Sequence, residues 1–317
     1  MKSSGDTPLE AWIPLHPAPL NTPAISTAPR QIRFLFRCIR VMVDVIMVSA
    51  IKIRAASWFI PTSTLRARIG SVLLALFLVA GATDVASAAS FAARAETAYT
   101  EAGRKVRQEP TNTLALVELA RATFDWAEFS RQDSDRAELA QHGIDAARLA
   151  LSRDDTNAAA HFWLGMNLGQ LARTKSLGAL KLVREMESEF LRAESLDEHT
   201  FFAGPDRTLG MLYRDAPGWP TSIGSKKKAR QHLERAAELH PEFPENQLAL
   251  LESFEQWGDK RDFERQLKLV EKTLTGSRAK FAGAAWEASW EDWEKQFAAL
   301  QAKAGVVGKV TPSKGAK

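Results

Sequence analysis

Thirteen residues past the middle of the chain, ARQHLERAAELHP from Ala229 to Pro241, constrain the fold more than any other stretch. Ala229, Leu233, Ala236 and Pro241 stand at offsets 0, 4, 7 and 12. On a helix the first three share one face in the order small, bulky, small. A neighbouring helix can then approach closely while the leucine fills the groove between them. Proline stops the helix, because it has no amide hydrogen to donate and its ring clashes with the turn before it. The frame predicts the second helix of a packed helical hairpin.

The frame recurs. Gly143, Ala147, Ala150 and Asp155 keep the same offsets, with alanine where a bulky residue is expected. Three residues further on, Ala158 opens a unit in which Leu164, Gly165 and Leu168 take the seventh, eighth and eleventh positions. Leu209, Gly210 and Tyr213 repeat that pattern, and Leu250, Leu251 and Phe254 lead into Phe263, Leu267 and Val270. Abundant Ala, Leu, Glu, Arg and Lys, with only two Tyr, favour helix throughout.

On these residues the chain resembles the tetratricopeptide-repeat superfamily across roughly residues 110–275. The resemblance implies an all-α protein: an α-solenoid of degenerate TPR-like helix hairpins with terminal capping helices. An irregular helical bundle is the competing architecture. Helices are predicted at 90–108, 114–130, 135–153, 158–174, 177–196, 205–215, 226–240, 244–257, 259–274 and 283–303. The start signals are Thr111-Asn112-Thr113, Thr156-Asn157, Ser225, and a proline in the first turn at Pro205 and Pro244.

Upstream of this domain the chain reads as targeting. Arg66 and Arg68, the apolar run Ile69 to Ala82, and Ala86-Ser87-Ala88 are the three parts of a secretory signal. The apolar run is shorter than the roughly 20 residues a spanning helix needs, so cleavage near Ala88 and no stable membrane anchor are expected. Residues 1–64 are then an upstream segment, disordered or untranslated, with the true start at Met47 or near Leu65. Residues 65–88 are the signal, 89–305 the repeat domain, and 306–317 a disordered tail. Cys38, the single cysteine, lies before the signal. The mature chain would be periplasmic or secreted, without a disulfide, a thiolate nucleophile or a lipid-bearing cysteine.

Charge argues against a polyanion partner. Residues 1–88 carry nine basic and four acidic side chains, leaving 33 and 34 for the remainder. The basic excess of the whole chain belongs to its first 88 residues, and nucleic acid is not an expected partner.

Gly218 to Lys228 (GWPTSIGSKKK) tests for a phosphate loop and fails. A Walker loop places four residues between its glycines, then lysine and a hydroxyl residue, after a strand. Here five residues separate Gly218 from Gly224, serine precedes the lysines, and no strand is expected. The repeat frame accounts for the loop as a seven-residue insertion in the turn of the third unit. Lys226, Lys227 and Lys228 oppose the helix dipole at the start of the next helix. They read as a solvated run or, with Trp219 as an apolar anchor, as a contact surface for an acidic partner.

Other chemistry is not promoted. His232 and His240 lie eight apart and no HExxH pattern occurs, so no catalytic residue, cofactor or metal site is expected. In WEASWEDWEKQFAALQ, Trp286, Trp290, Trp293, Phe297 and Leu300 form one helical stripe that would seal the end of the solenoid or join a homo-oligomer. The inner faces of the first helices would carry Phe162, Met166, Arg207, Met211, Arg214, Glu245, Glu252 and Glu255, a groove for a protein or peptide partner.

A narrower resemblance follows from AGPDRTLGMLYRDAPGWP behind an export signal, which looks like the T-component proteins of TRAP-type transporters. It implies a periplasmic partner of a transporter's substrate-binding protein, although the lipid-bearing cysteine common in that family is missing. A non-catalytic scaffold is the expected function. The alternative is a carrier holding a small apolar or amphipathic acid between repeats, and a helical glycan-processing enzyme is a third.

Overall fold

A computed structural model describes residues 91–175 and 178–307. Ten helices occur among them: α1 (91–108), α2 (Thr113–Ala127), α3 (Asp133–Leu151), α4 (Ala158–Arg173) and α5 (Ala179–Leu196), followed by α6 (Gly204–Asp215), α7 (Lys226–Leu239), α8 (Pro244–Trp257), α9 (Lys260–Ser277) and α10 (Glu287–Val307). Extended pairing is limited, among the described residues, to one isolated bridge between Gly218 and Gly224. The upstream segment, the signal with its cleavage site, Cys38, and residues 308–317 lie outside the described residues. No described helix is long and apolar enough to cross a membrane.

Local chemistry sets the helix starts. The side chains of Asn112, Asn157 and Ser225 accept hydrogen bonds from the amides of Ala115, Ala160 and Lys228, each satisfying a donor that the first turn leaves open. Pro205 and Pro244 occupy first turns, where a missing amide hydrogen costs nothing.

Successive helices pair as α2–α3, α4–α5, α6–α7 and α8–α9, and each hairpin packs on the next. First helices also touch first helices, α2 with α4 and α6 with α8, and α10 continues that row against α8. This is an α-solenoid of degenerate TPR-like hairpins closed by an extra helix. The small positions of the repeat are contact points. A Cβ on Gly165 would lie 2.5 Å from the Phe190 ring, and one on Gly210 would lie 2.5 Å from Leu233 Cγ. Ala229, Leu233 and Ala236, which carry the small-bulky-small frame, are fully buried.

The α5–α6 connection holds a feature that its sequence does not advertise. Phe201, Phe202 and Ala203 have φ of 50°, 57° and 56°, three consecutive left-handed residues. Each costs about 1–2 kcal/mol relative to a right-handed conformation. Two aromatic contacts hold the turn. Phe201 packs 5.0 Å from Phe162 and 5.3 Å from Trp163 of α4, while Phe202 stacks 4.6 Å from Phe243 at the start of α8. The turn thereby staples the second unit to the fourth.

The tryptophan stripe closes the far end. Trp286, Trp290, Trp293, Phe297 and Leu300 are all buried, and Trp290 Nε1 donates to the carbonyl of Phe281 at 2.5 Å. Sealing the stack accounts for the stripe without a second copy of the chain.

Candidate functional site

Three helices bring one polar cluster together. Glu187 and Glu194 lie seven apart on α5, Asp206 and Tyr213 seven apart on α6, and Lys228, His232 and Arg235 follow at four and three on α7. Each set shares a helix face, and the three faces meet where the second unit docks on the third. Asp206 has no exposed surface. Its Oδ1 is 2.7 Å from His232 Nδ1, and its Oδ2 accepts no hydrogen bond, facing Arg235 Nε at 3.2 Å. Glu194 Oε1 lies 3.9 Å from His232 Nδ1 and 3.7 Å from Arg235 Nε. Arg235 also pairs with Glu198 in the turn after α5.

Burial and then the neighbouring Asp206 carboxylate push the Glu194 carboxyl above the ordinary range. The Tyr213 ring stacks on the His232 imidazole at 5.5 Å and its hydroxyl donates to Glu187 at 2.6 Å. Burial, with that bond to a carboxylate, pushes the phenol well up. Lys228 Nζ lies 3.5 Å from Glu187 and 4.6 Å above the same ring. An oriented imidazole beside one buried and one half-buried carboxylate can bind a cation. Sequence reading missed this site, because its groups are conspicuous only once the separate spacings on three helices are brought face to face.

The groove expected along the first helices is filled. Phe162, Met166, Arg207 and Met211 are fully buried, a correction to their assignment as partner contacts. Phe162 and Met166 are core because the Phe201 turn and α5 close over α4. The buried Arg207 guanidinium donates from Nη1 to Asn246 Oδ1 at 2.7 Å and to the Phe202 carbonyl at 3.2 Å, clamping the left-handed turn. Burial lowers its pKa, against the pull of Glu245. Arg214 is engaged by Asp215 at 2.8 Å and Glu252 at 3.2 Å, and Glu255 pairs with Lys303 at 2.9 Å. These groups join the repeats to one another.

The inserted loop lies on the surface. Gly224 donates to the Pro217 carbonyl at 2.8 Å and Ser225 to that of Tyr213 at 2.9 Å, so the loop closes on its own backbone. At its tip Trp219 is 88% exposed. Lys226, Lys227 and Lys228 are exposed at the start of α7, but two of them are internally engaged. Lys226 lies 3.1 Å from Asp259 and 5.2 Å above the Trp257 ring, and Lys228 meets Glu187 and Tyr213 as above. Elsewhere, a groove of about 390 Å³ runs between α9 and α10, floored by Leu274, Trp290 and Phe297 and rimmed by Glu271, Thr275, Arg278 and Glu294.

Comparison with known proteins does not fix a family. Residues 83–202, less than half of the chain, match the family described as Regulator of microtubule dynamics protein 1-3. No curated protein matches. A thermophilic TPR protein of Thermus thermophilus is similar at 18% identity and a TM-score of 0.48, covering 66% of this chain and 92% of that one. MamA is similar at 18% identity and a TM-score of 0.40, covering 57% of this chain and 88% of that one. The repeat fold itself rests on the helix pairing described above.

Proposed function

We propose that the chain is a non-catalytic scaffold that captures a protein partner through the inserted loop of its third unit. The observation that carries this reading is Trp219, 88% exposed at the tip of a backbone-closed loop. A large aromatic side chain held in water by an ordered loop is the kind of anchor that dominates binding energy when a partner's pocket desolvates it. Lys227, exposed at the start of α7, favours an acidic rim on that partner.

Two finer readings rest on sequence. The signal-like segment ending near Ala88 supports export to the periplasm or medium. The stretch from Ala203 to Pro220 supports association with a transporter's substrate-binding protein, which a microtubule partner would replace if the matched family's name applied here. The carrier alternative draws on the α9–α10 groove with its apolar floor of Leu274, Trp290 and Phe297.

Affinity capture with the tagged full chain in its own cells, beside a Trp219→Ala variant, tests the proposal. The wild type should retain one stoichiometric partner and the variant should lose it, with stability unchanged to within about 0.5 kcal/mol because the side chain touches little of the fold. Equal capture by both would remove the loop from the interface. A bound acid in native mass spectra, without any protein, would select the carrier.

A further inference from the structure

The cluster between α5, α6 and α7 carries more negative charge than its fixed cations offset. Glu187, Glu194, Glu198 and Asp206 face Lys228, Arg235 and the His232 imidazole. Glu194 Oε, Asp206 Oδ and His232 Nδ1 lie within 4.8 Å of one another. Asp206 is wholly buried, yet one of its oxygens accepts no hydrogen bond. Such an oxygen keeps an uncompensated desolvation cost unless a cation or donor reaches it. It faces Arg235 Nε at 3.2 Å, and the Arg235 side chain is 49% exposed and also paired with Glu198.

We propose that Glu194, Asp206 and the Nδ1 of His232 form a binding site for one divalent transition-metal cation, Zn²⁺ by ligand type. One imidazole nitrogen with two carboxylate oxygens is a borderline donor set that suits zinc, leaving a fourth position for water. The distances are close to what the ion requires. Tetrahedral zinc with bonds of about 2.0–2.1 Å separates its ligands by about 3.3 Å. The observed separations from Nδ1 are 2.7 Å to Asp206 and 3.9 Å to Glu194, so small rotations in opposite senses would equalise them. Arg235 is the resident competitor. When the metal enters, its guanidinium stays with Glu198 and withdraws from the buried Asp206 and the half-buried Glu194.

A second pair of histidines must be kept apart from this site. His199 Nδ1 and His240 Nε2 lie 3.2 Å from each other on the outside of the α5–α6 turn, and two imidazoles at that spacing can also hold zinc weakly.

The test is calorimetric titration of the chelator-stripped full chain with Zn²⁺, with Co²⁺ absorption as a spectroscopic readout of tetrahedral coordination. One ion per chain should bind. Glu194→Gln and His232→Gln should each weaken binding by at least about 10-fold, both positions being partly exposed and so tolerant of the exchange. Arg235→Gln should tighten binding, since it removes the competing charge, and His240→Ala should leave it unchanged. Circular dichroism confirms that each variant folds. Absence of binding by the wild type, binding indifferent to Glu194→Gln and His232→Gln, or loss of binding in His240→Ala would each overturn the proposal. Weaker binding in Arg235→Gln would do the same, because it would make the arginine a structural partner of the cluster.

Discussion

At single positions, helix spacing in this stack depends on atoms that are missing. Gly210 on α6 faces Leu233 on α7 so closely that an added Cβ would meet the Leu233 backbone nitrogen at 3.1 Å as well as its side chain. Backbone cannot rotate away, so Gly210→Ala should destabilise the protein by about 1–3 kcal/mol in urea unfolding. Gly276, in the last turn of α9, has nothing within 4 Å of its virtual Cβ, and Gly276→Ala should instead stabilise by about 0.5–1 kcal/mol. Titration is decided residue by residue too. The raised Glu194 carboxyl binds its proton more tightly folded than unfolded. Its contribution is therefore fully present below the ordinary carboxylate range and lost as pH rises through the raised value. Urea midpoints measured in chelator from acid towards neutral pH should fall over that window, and Glu194→Gln should flatten the fall.

Among the elements, helix ends were legible in the sequence because a cap is a contact between near neighbours. Asn112, Asn157 and Ser225 stand where their short polar side chains reach the amides of the next turn, and they do so. Asn157→Ala should cost about 1 kcal/mol, read as a lower thermal midpoint with unchanged helix content. The enlarged turn of the third unit was legible for the same reason, from its prolines, glycines and the serine that starts α7. The left-handed run through Phe201, Phe202 and Ala203 was not. Nothing local favours that conformation for phenylalanine. It persists because Phe201 and Phe202 find partners in α4 and α8, elements that local signals at that position do not reveal.

Across the whole molecule, the stack is held at its far end by aromatic burial. Trp293 is 3% exposed and lies 5.6 Å from Phe243 and 5.0 Å from Trp290. Trp293→Ala should cost about 3–5 kcal/mol and expose the end of the solenoid, seen as loss of cooperative unfolding and gain of dye binding. The spacing of small, bulky and helix-stopping residues determined by itself that this chain forms helical hairpins, because those rules act within one or two turns. It also marked the aromatic stripe, since a period near 3.6 is readable along one helix. Tertiary structure alone decided which face remained open. Phe162, Met166, Arg207 and Met211 sit at positions that an open superhelix would present to a partner, and here neighbouring units close over them. Likewise Glu194, Asp206 and His232 become a site only when three helices dock, because a charge cluster is defined by distance in space and sequence periodicity reports direction along one helix.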